Sequence, residues 1–151
     1  MSKYIIDDLD KKILNILQKN ADLTYAEIAK EVNVSPSTVH LRVKRLKELG
    51  YIKSIIAVVD PGKLGLNIRA YVFIKTDPKK HNEALEKIAK MKEVVELYDI
   101  TGEYSAIAKV YATDNEGLAR ILDTLGQIEG VLSTSTSLVM RAIKELPTVQ
   151  L

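Results

Sequence analysis

The chain contains no cysteine, which excludes disulfides and thiol catalysis and argues against a small secreted scaffold. Histidine is scarce, with His40 and His81 the two copies. Neither has a second histidine within metal-ligand spacing, and no nucleophile–base pair can be read off. No apolar run approaches the ~18 residues needed to span a bilayer. The opening MSKYIIDDLDKK lacks the long apolar core of a signal peptide. The expectation is a cytoplasmic protein with no metal, no cofactor and no membrane partner. The net charge of +2 is also too small to make the whole molecule a polyanion binder. What remains is an ordinary globular composition, 46% hydrophobic and 28% charged over 151 residues. That length holds one medium domain or two small ones.

The small charge surplus is unevenly placed. Between Pro36 and Lys53 five cations (Arg42, Lys44, Arg45, Lys47, Lys53) meet one anion, Glu48. From Pro61 onward 12 cations balance 12 anions. An electrostatic footprint for a polyanion therefore sits on one stretch, VSPSTVHLRVKRLKELG. Ser35 is a helix N-cap, Pro36 suits the first helical position, and Gly50 follows the last turn. Val39, Val43 and Leu46 make one apolar face. Ser37, His40, Leu41 and Lys44 point the other way, flanked by Thr38 and Arg45. Small hydroxyls, an imidazole and cations suit a helix laid into a DNA major groove, where Leu41 can meet a thymine methyl. On this reading Arg42, Lys44, Arg45 and Lys53 neutralise phosphates, while Ser37, Thr38, His40 and Leu41 read bases, and Ser35 at the helix start belongs to the same DNA-binding set. The competing account is an amphipathic helix with a solvated basic face.

Two helices precede it. Asp7–Gln18 carries Leu9, Ile13, Ile16 and Leu17 on one side, with Asp7, Asp8 and Asp10 at the positive end of the helix dipole. Thr24-Tyr25-Ala26-Glu27 is a capping box that opens a second helix burying Ile28, Ala29 and Val32. Three helices, the last two joined tightly at Asn33, spell a helix-turn-helix unit over residues 1–50. Tyr51–Val59 is β-branched and reads as a strand or extended hinge. A linker over 51–66 contains the turn signal Asp60-Pro61-Gly62.

Residues 67–151 alternate between element types. Strands are expected at Ile68–Thr76, Val94–Ile100, Tyr104–Ala112 and Val131–Ile143. A helix over Pro78–Met91 buries Leu85, Ile88 and Ala89. A second, from a cap at Thr113 or Asp114 to Leu125, buries Leu118, Ile121, Leu122 and Leu125. The order βαββαβ is the ferredoxin-like split unit, so the fold class is α+β. Two helices cover one sheet face, yet the strands are apolar on both: Val72 and Ile74 against Tyr71 and Phe73, Leu138 and Met140 against Val139. An exposed face of that kind implies a homodimer with stacked sheets. A two-fold dimer also presents two helix-turn-helix units to major-groove segments about 34–36 Å apart.

The opening LDKKILNILQKNADLTYAEIAKEVNVSPSTVHLRVKRLKELGYIK, the hinge DPGKLG and the turn ITGEYSAIAKV, in that order, resemble the Lrp/AsnC (feast/famine) family of transcription regulators over essentially the whole chain. The resemblance implies an N-terminal domain for double-stranded DNA, a C-terminal amino-acid-sensing domain, and dimers that associate further into octamers. It implies an amino-acid effector held between dimers at Tyr98, Thr101, Gly102, Glu103, Tyr104 and Ser105. A neighbouring subunit would add Thr134 and Thr136. Gly102 lets the backbone approach a ligand and leaves N–H groups for a carboxylate. Glu103 or backbone carbonyls can accept from an α-ammonium. Ser105 stands where many relatives have Asp. The run Ser133–Ser137 reads either as ligand contact or as an edge strand rich in β-compatible hydroxyls. A hydroxyl-lined pocket favours a neutral polar effector of the glutamine or asparagine kind. Two other functions compete: an enzyme resembling the sirohaem decarboxylases, which would want histidines or arginines in the C-terminal cleft, and an architectural DNA-binding protein without ligand control.

Overall fold

The computed structural model describes residues 5–145 and 148–151. They form two compact units, one made of residues up to Val58 together with those from Lys144, the other spanning Val59–Ile143. Among the described residues no helix is long and apolar enough to cross a membrane.

The first unit is built on three capped helices. Asp7 caps α1 (Asp8–Lys19), accepting from the Asp10 N–H while the Asp10 carboxylate returns to the Asp7 N–H. Thr24 and Glu27 repeat that reciprocal box at the start of α2 (Tyr25–Val32). Asn33 ends α2 in the left-handed region at φ 57°, a conformation that asparagine tolerates better than most residues. Two residues later Ser35 caps α3 (Pro36–Glu48), with Pro36 at its first position. Ile13 and Ile16, Ile28 and Ala29, and Val39 and Val43 meet in the core, with Leu9, Leu17, Val32, Val34 and Ile52 packed around them. The apolar spacing of the sequence thus becomes the three-helix core.

One core member is a charge. Asp10, expected only at the helix dipole, is fully buried. Arg42 of α3 reaches across to α1, its Nη1 lying 2.6 Å from Asp7 Oδ2 and 3.2 Å from Asp10 Oδ1. A buried carboxylate persists only with such a partner and further hydrogen bonds.

After Gly50 the Tyr51 and Ile52 N–H groups both donate to the Leu46 carbonyl. The chain then runs without helix or strand to Asp60, so of the two forms expected for Tyr51–Val59 it is the extended hinge that appears. β-Branched residues favour a strand only where backbone partners exist. The tail also departs from the expected layout. Counted with the second half from sequence, it lies against α1, where the Gln18 side-chain amide exchanges two hydrogen bonds with the Val149 backbone (2.9 and 2.8 Å). Asn15 Nδ2 donates to the Leu151 carbonyl at 3.2 Å.

The second unit opens with a 3-10 turn (Gly62–Leu64) and continues β1 (Ile68–Thr76), α4 (His81–Ile88), β2 (Val94–Asp99), β3 (Ala106–Ala112), α5 (Asn115–Gly126), β4 (Val131–Leu138). The four strands are antiparallel in the order β2-β3-β1-β4, which is the ferredoxin-like arrangement. Ala70, Val72 and Ile74 alternate into a core with Ala106, Ala108, Val110 and the helix residues Ile88, Leu118, Ile121 and Leu125. α4 is shorter than the expected Pro78–Met91, because Asp77–Lys80 closes as a turn (Lys80 N to Asp77 O, 3.0 Å) before the helix begins. Ala84 is buried beside Ile88, and Ala89, expected to be buried, is exposed at the end of the helix. β4 stops at Leu138, opposite Ala70 near the start of β1, rather than running on to Ile143. Met140 therefore belongs to no sheet face.

Replacing Arg42 with Ala strands the Asp10 carboxylate and should destabilise the helical unit by roughly 3 kcal/mol in urea unfolding. The Asp10 N–H and then the Arg42 guanidinium hold the Asp7 carboxyl below its usual 3.8. A depressed carboxyl supports the fold above its unfolded pKa, and that support fades as pH falls through the folded value. An acid titration should show Arg42→Ala losing part of the wild-type drop in stability below about pH 4.

Candidate nucleic-acid interface and ligand turn

The phase of α3 is set by Val39, Val43 and Leu46, which are buried. With those inward, Ser37, His40, Leu41, Lys44 and Arg45 are exposed and Thr38 is half-buried. Leu41 is 66% exposed, a large apolar side chain on an otherwise polar surface. His40 packs edge-on against Tyr25 at 5.4 Å between ring centroids. Those two residues, with Pro36, Ser37 and Leu41, line a shallow open hollow. Lys44 sits 3.9 Å from Glu48 one turn on, an exposed pair of small energetic consequence. Lys53 is exposed on the hinge.

Two residues expected on the DNA face are already committed elsewhere. Ser35 Oγ accepts the Thr38 N–H at 3.1 Å and lies within 2.9 Å of the Ser37 hydroxyl and 2.8 Å of the Thr38 hydroxyl. Arg42 is half-buried and holds Asp7 and Asp10. Position 42 lies about 100° round the helix from Leu41 and faces α1, which brings its guanidinium to those carboxylates. Sequence spacing identified Arg42 as a cation but had no means of seeing that Asp10 was buried.

At the other candidate site, the turn after β2 is closed at its neck by Ile100 N to Ser105 O (2.9 Å) and Ser105 N to Ile74 O (2.9 Å). Gly102 takes φ 119°, where a side chain would be strained. Glu103 points a carboxylate oxygen to within 3.8 Å of Lys75 Nζ. Tyr104 tilts over Phe73, 5.5 Å between centroids, with Lys75 Nζ 5.8 Å from its ring. Tyr98 projects onto the same open sheet face, opposite Ile107. Its hydroxyl donates to Glu96 Oε2 at 3.3 Å, and that carboxylate raises its pKa. Glu96 also receives Lys109 Nζ at 3.0 Å. Burial works to lower the Lys109 pKa, but the bond to Glu96 overrides it and the net shift is upward.

Thr134 and Thr136 do not share that face. They pair with Ile74 and Val72 and so turn to the helix side, whereas Ser133, Ser135 and Ser137 pair with Lys75, Phe73 and Tyr71. The open face is thus aromatic at its centre (Tyr71, Phe73, Tyr111), carries Arg69, Lys75 and Lys109 between the rings, and ends in serines at the β4 edge. Sequence reading also missed a polar group beneath the turn. Thr76 Oγ1 lies 2.7 Å from His81 Nδ1, and His81 Nε2 lies 3.4 Å from Asp99 Oδ2. Among the described residues no cluster of three His, Cys, Asp or Glu side chains is arranged to hold a metal ion.

Residues 69–149 match the Lrp/AsnC ligand-binding domain, and residues 6–53 match a winged helix-turn-helix DNA-binding domain. The chain belongs to the Lrp/AsnC family. It is 44% identical over 141 residues, 93% of each chain, to the HTH-type transcriptional regulator FL11 of Pyrococcus furiosus. The Pyrococcus horikoshii protein of the same name is 37% identical over 93% of each. Among solved structures, E. coli AsnC superposes with a TM-score of 0.90 at 35% identity, covering 97% of this chain and 99% of that one. A Neisseria meningitidis transcriptional regulator in complex with L-Met gives 0.92 at 28% identity, covering 96% of each. As an Lrp/AsnC protein the chain is a DNA-binding transcriptional regulator with a ligand-binding domain. Its α3 is the second helix of the helix-turn-helix pair, the element that enters the major groove in this motif.

The committed hydroxyl gives a measurable asymmetry on α3. Ser35→Ala should cost about 1 kcal/mol of stability through the lost cap. Ser37→Ala, on the exposed face, should stay within about 0.5 kcal/mol in the same thermal melts.

Proposed function

We propose that a homodimer of this Lrp/AsnC protein lays two copies of α3 into successive major-groove segments of a pseudo-palindromic operator, and that an amino acid at the turn Thr101–Ser105 controls the assembly. The observation that carries the DNA half is the outer face of α3, with Ser37, His40, Leu41, Lys44 and Arg45 exposed together. Base reading falls to Ser37, Thr38, His40 and Leu41, and phosphate neutralisation to Lys44, Arg45 and Lys53. The domain boundaries 1–50, 51–66 and 67–151 serve this division of labour, with residues after Ile143 shared back to the helical unit.

The half-buried aromatics of the open sheet face support dimerisation through stacked sheets, since Tyr71, Phe73 and Ile107 form a contiguous apolar strip. Dimers would then associate through the turn, with the effector between them. The exposed Gly102 backbone and the Glu103 carboxylate suit the two ends of an amino-acid zwitterion. The effector class is a neutral amino acid, glutamine-like in length and polarity. The L-Met bound by the Neisseria relative is likewise uncharged and of similar length, although its side chain is apolar. Ligand control requires that the effector bind one assembly better than another.

Gel-shift titrations over a salt series should give Lys44→Ala weaker binding at every sequence, with the slope of log K against log salt reduced by about one. A slope unchanged by the substitution would remove Lys44 from the phosphate contacts. Calorimetry of the full chain against the twenty amino acids should give heat for glutamine, asparagine or another neutral polar residue. Light scattering should then show that ligand altering the assembly. Heat from leucine-like or lysine-like ligands alone would overturn the proposed effector class.

A further inference from the structure

His81 is the first residue of α4, yet its imidazole works for the strands. One ring nitrogen meets the Thr76 hydroxyl at the end of β1 (2.7 Å), and the other faces the Asp99 carboxylate at the end of β2 (3.4 Å). These strands are not neighbours, because β3 runs between them. Ala106 of β3 pairs with both Ile74 and Asp99. Its single methyl leaves room for a ring to pass under the sheet from one strand end to the other. With its proton on Nε2 the ring accepts the Thr76 hydroxyl at Nδ1, and Nε2 then turns toward the Asp99 carboxylate 3.4 Å away.

The two anchored residues are those that fix the turn. Asp99 immediately precedes Ile100, whose N–H closes the neck on Ser105. The Thr76 N–H donates to Ser105 Oγ at 3.3 Å, so the outgoing side of the turn is tied to the same residue that holds the imidazole. Thr76 is 5% exposed, which leaves no approach for a substrate to its hydroxyl. The Thr–His–Asp order, familiar from nucleophile–base–acid chemistry, therefore acts here as a brace.

We infer that His81 is a positioning residue for the ligand turn, bridging Thr76 and Asp99 so that the backbone of residues 101–105 is held in its binding geometry before an amino acid arrives. The inference rests on the turn being the effector site, as proposed above. A turn ordered in advance spares the ligand the entropy of ordering it, so loss of the bridge should weaken binding by about tenfold.

Hydrogen exchange on the ligand-free full chain tests the brace without reference to any effector. His81→Ala should speed exchange of the amides of residues 101–105 while the core amides of β1 and β3 keep wild-type rates. Asp99→Ala removes the bridge from its exposed end and should reproduce the effect in a chain that folds normally. Asp99→Asn keeps an acceptor for Nε2–H and should restore wild-type exchange. Calorimetry with L-glutamine should show the same ranking: about tenfold weaker binding for both Ala variants and near wild-type affinity for Asp99→Asn. Wild-type exchange at the turn in both Ala variants would overturn the inference. So would faster exchange with L-glutamine affinity unchanged. If wild-type protein binds no amino acid, the effector reading fails, and His81 then has no ligand to position even where the exchange data show the turn to be braced.

Discussion

One buried carboxylate sets the aspect that the recognition helix presents. Asp10 lies wholly inside the helical unit, and its partner Arg42 sits midway along α3. A hydrophobic contact between the helices tolerates some rotation of one about its axis. A guanidinium that must reach a specific carboxylate at α1's N-terminus tolerates little. Since successive residues are about 100° apart, fixing Arg42 toward α1 fixes His40, Leu41 and Lys44 outward. The capping box of α1 contributes to the same end, because Asp7 serves both as its own helix's cap and as a second acceptor for Arg42. Helix start, helix packing and the direction of the exposed α3 side chains thus share three residues.

In the ligand-binding unit the corresponding constraint is the alternation of β1, the strand bonded on both sides. Its even-numbered residues from Ala70 to Thr76 are buried, and its odd-numbered ones meet β3 and β4 partners on the open face. A slip of one residue would exchange the two sets. The same register brings the end of β1 level with the neck of the turn, so strand pairing and turn geometry depend on a single alignment.

Much of this was readable from sequence, for identifiable reasons. Capping boxes at Thr24–Glu27, the proline at α3's start and the apolar periods of α1, α3 and α5 are local signals, and each appears in the structure. The βαββαβ order follows from alternating periods. What escaped depended on distant partners. Asp10 looks like any dipole-end acid until Arg42 is brought to it. The Ser133–Ser137 run has a hydroxyl at every position and hence no contrast between faces, so nothing in it says that Thr134 and Thr136 turn to the helices. Tyr51–Val59 has strand composition but no backbone to pair with. His81 and Asp99 meet only because two strand ends and a helix start converge.

The return of the C-terminal tail to α1 changes how the chain should be thought of. Gln18 grips Val149 through both backbone polar groups, so the helical unit draws on residues from both sides of the ligand-binding unit in the sequence. Topologically the ligand-binding unit is then an insert within the DNA-binding one, attached at two points rather than hung from one linker. A fragment ending at the hinge consequently lacks the residues that bond to Asn15 and Gln18 of α1. A hybrid regulator made by exchanging the central unit must splice the chain at both junctions.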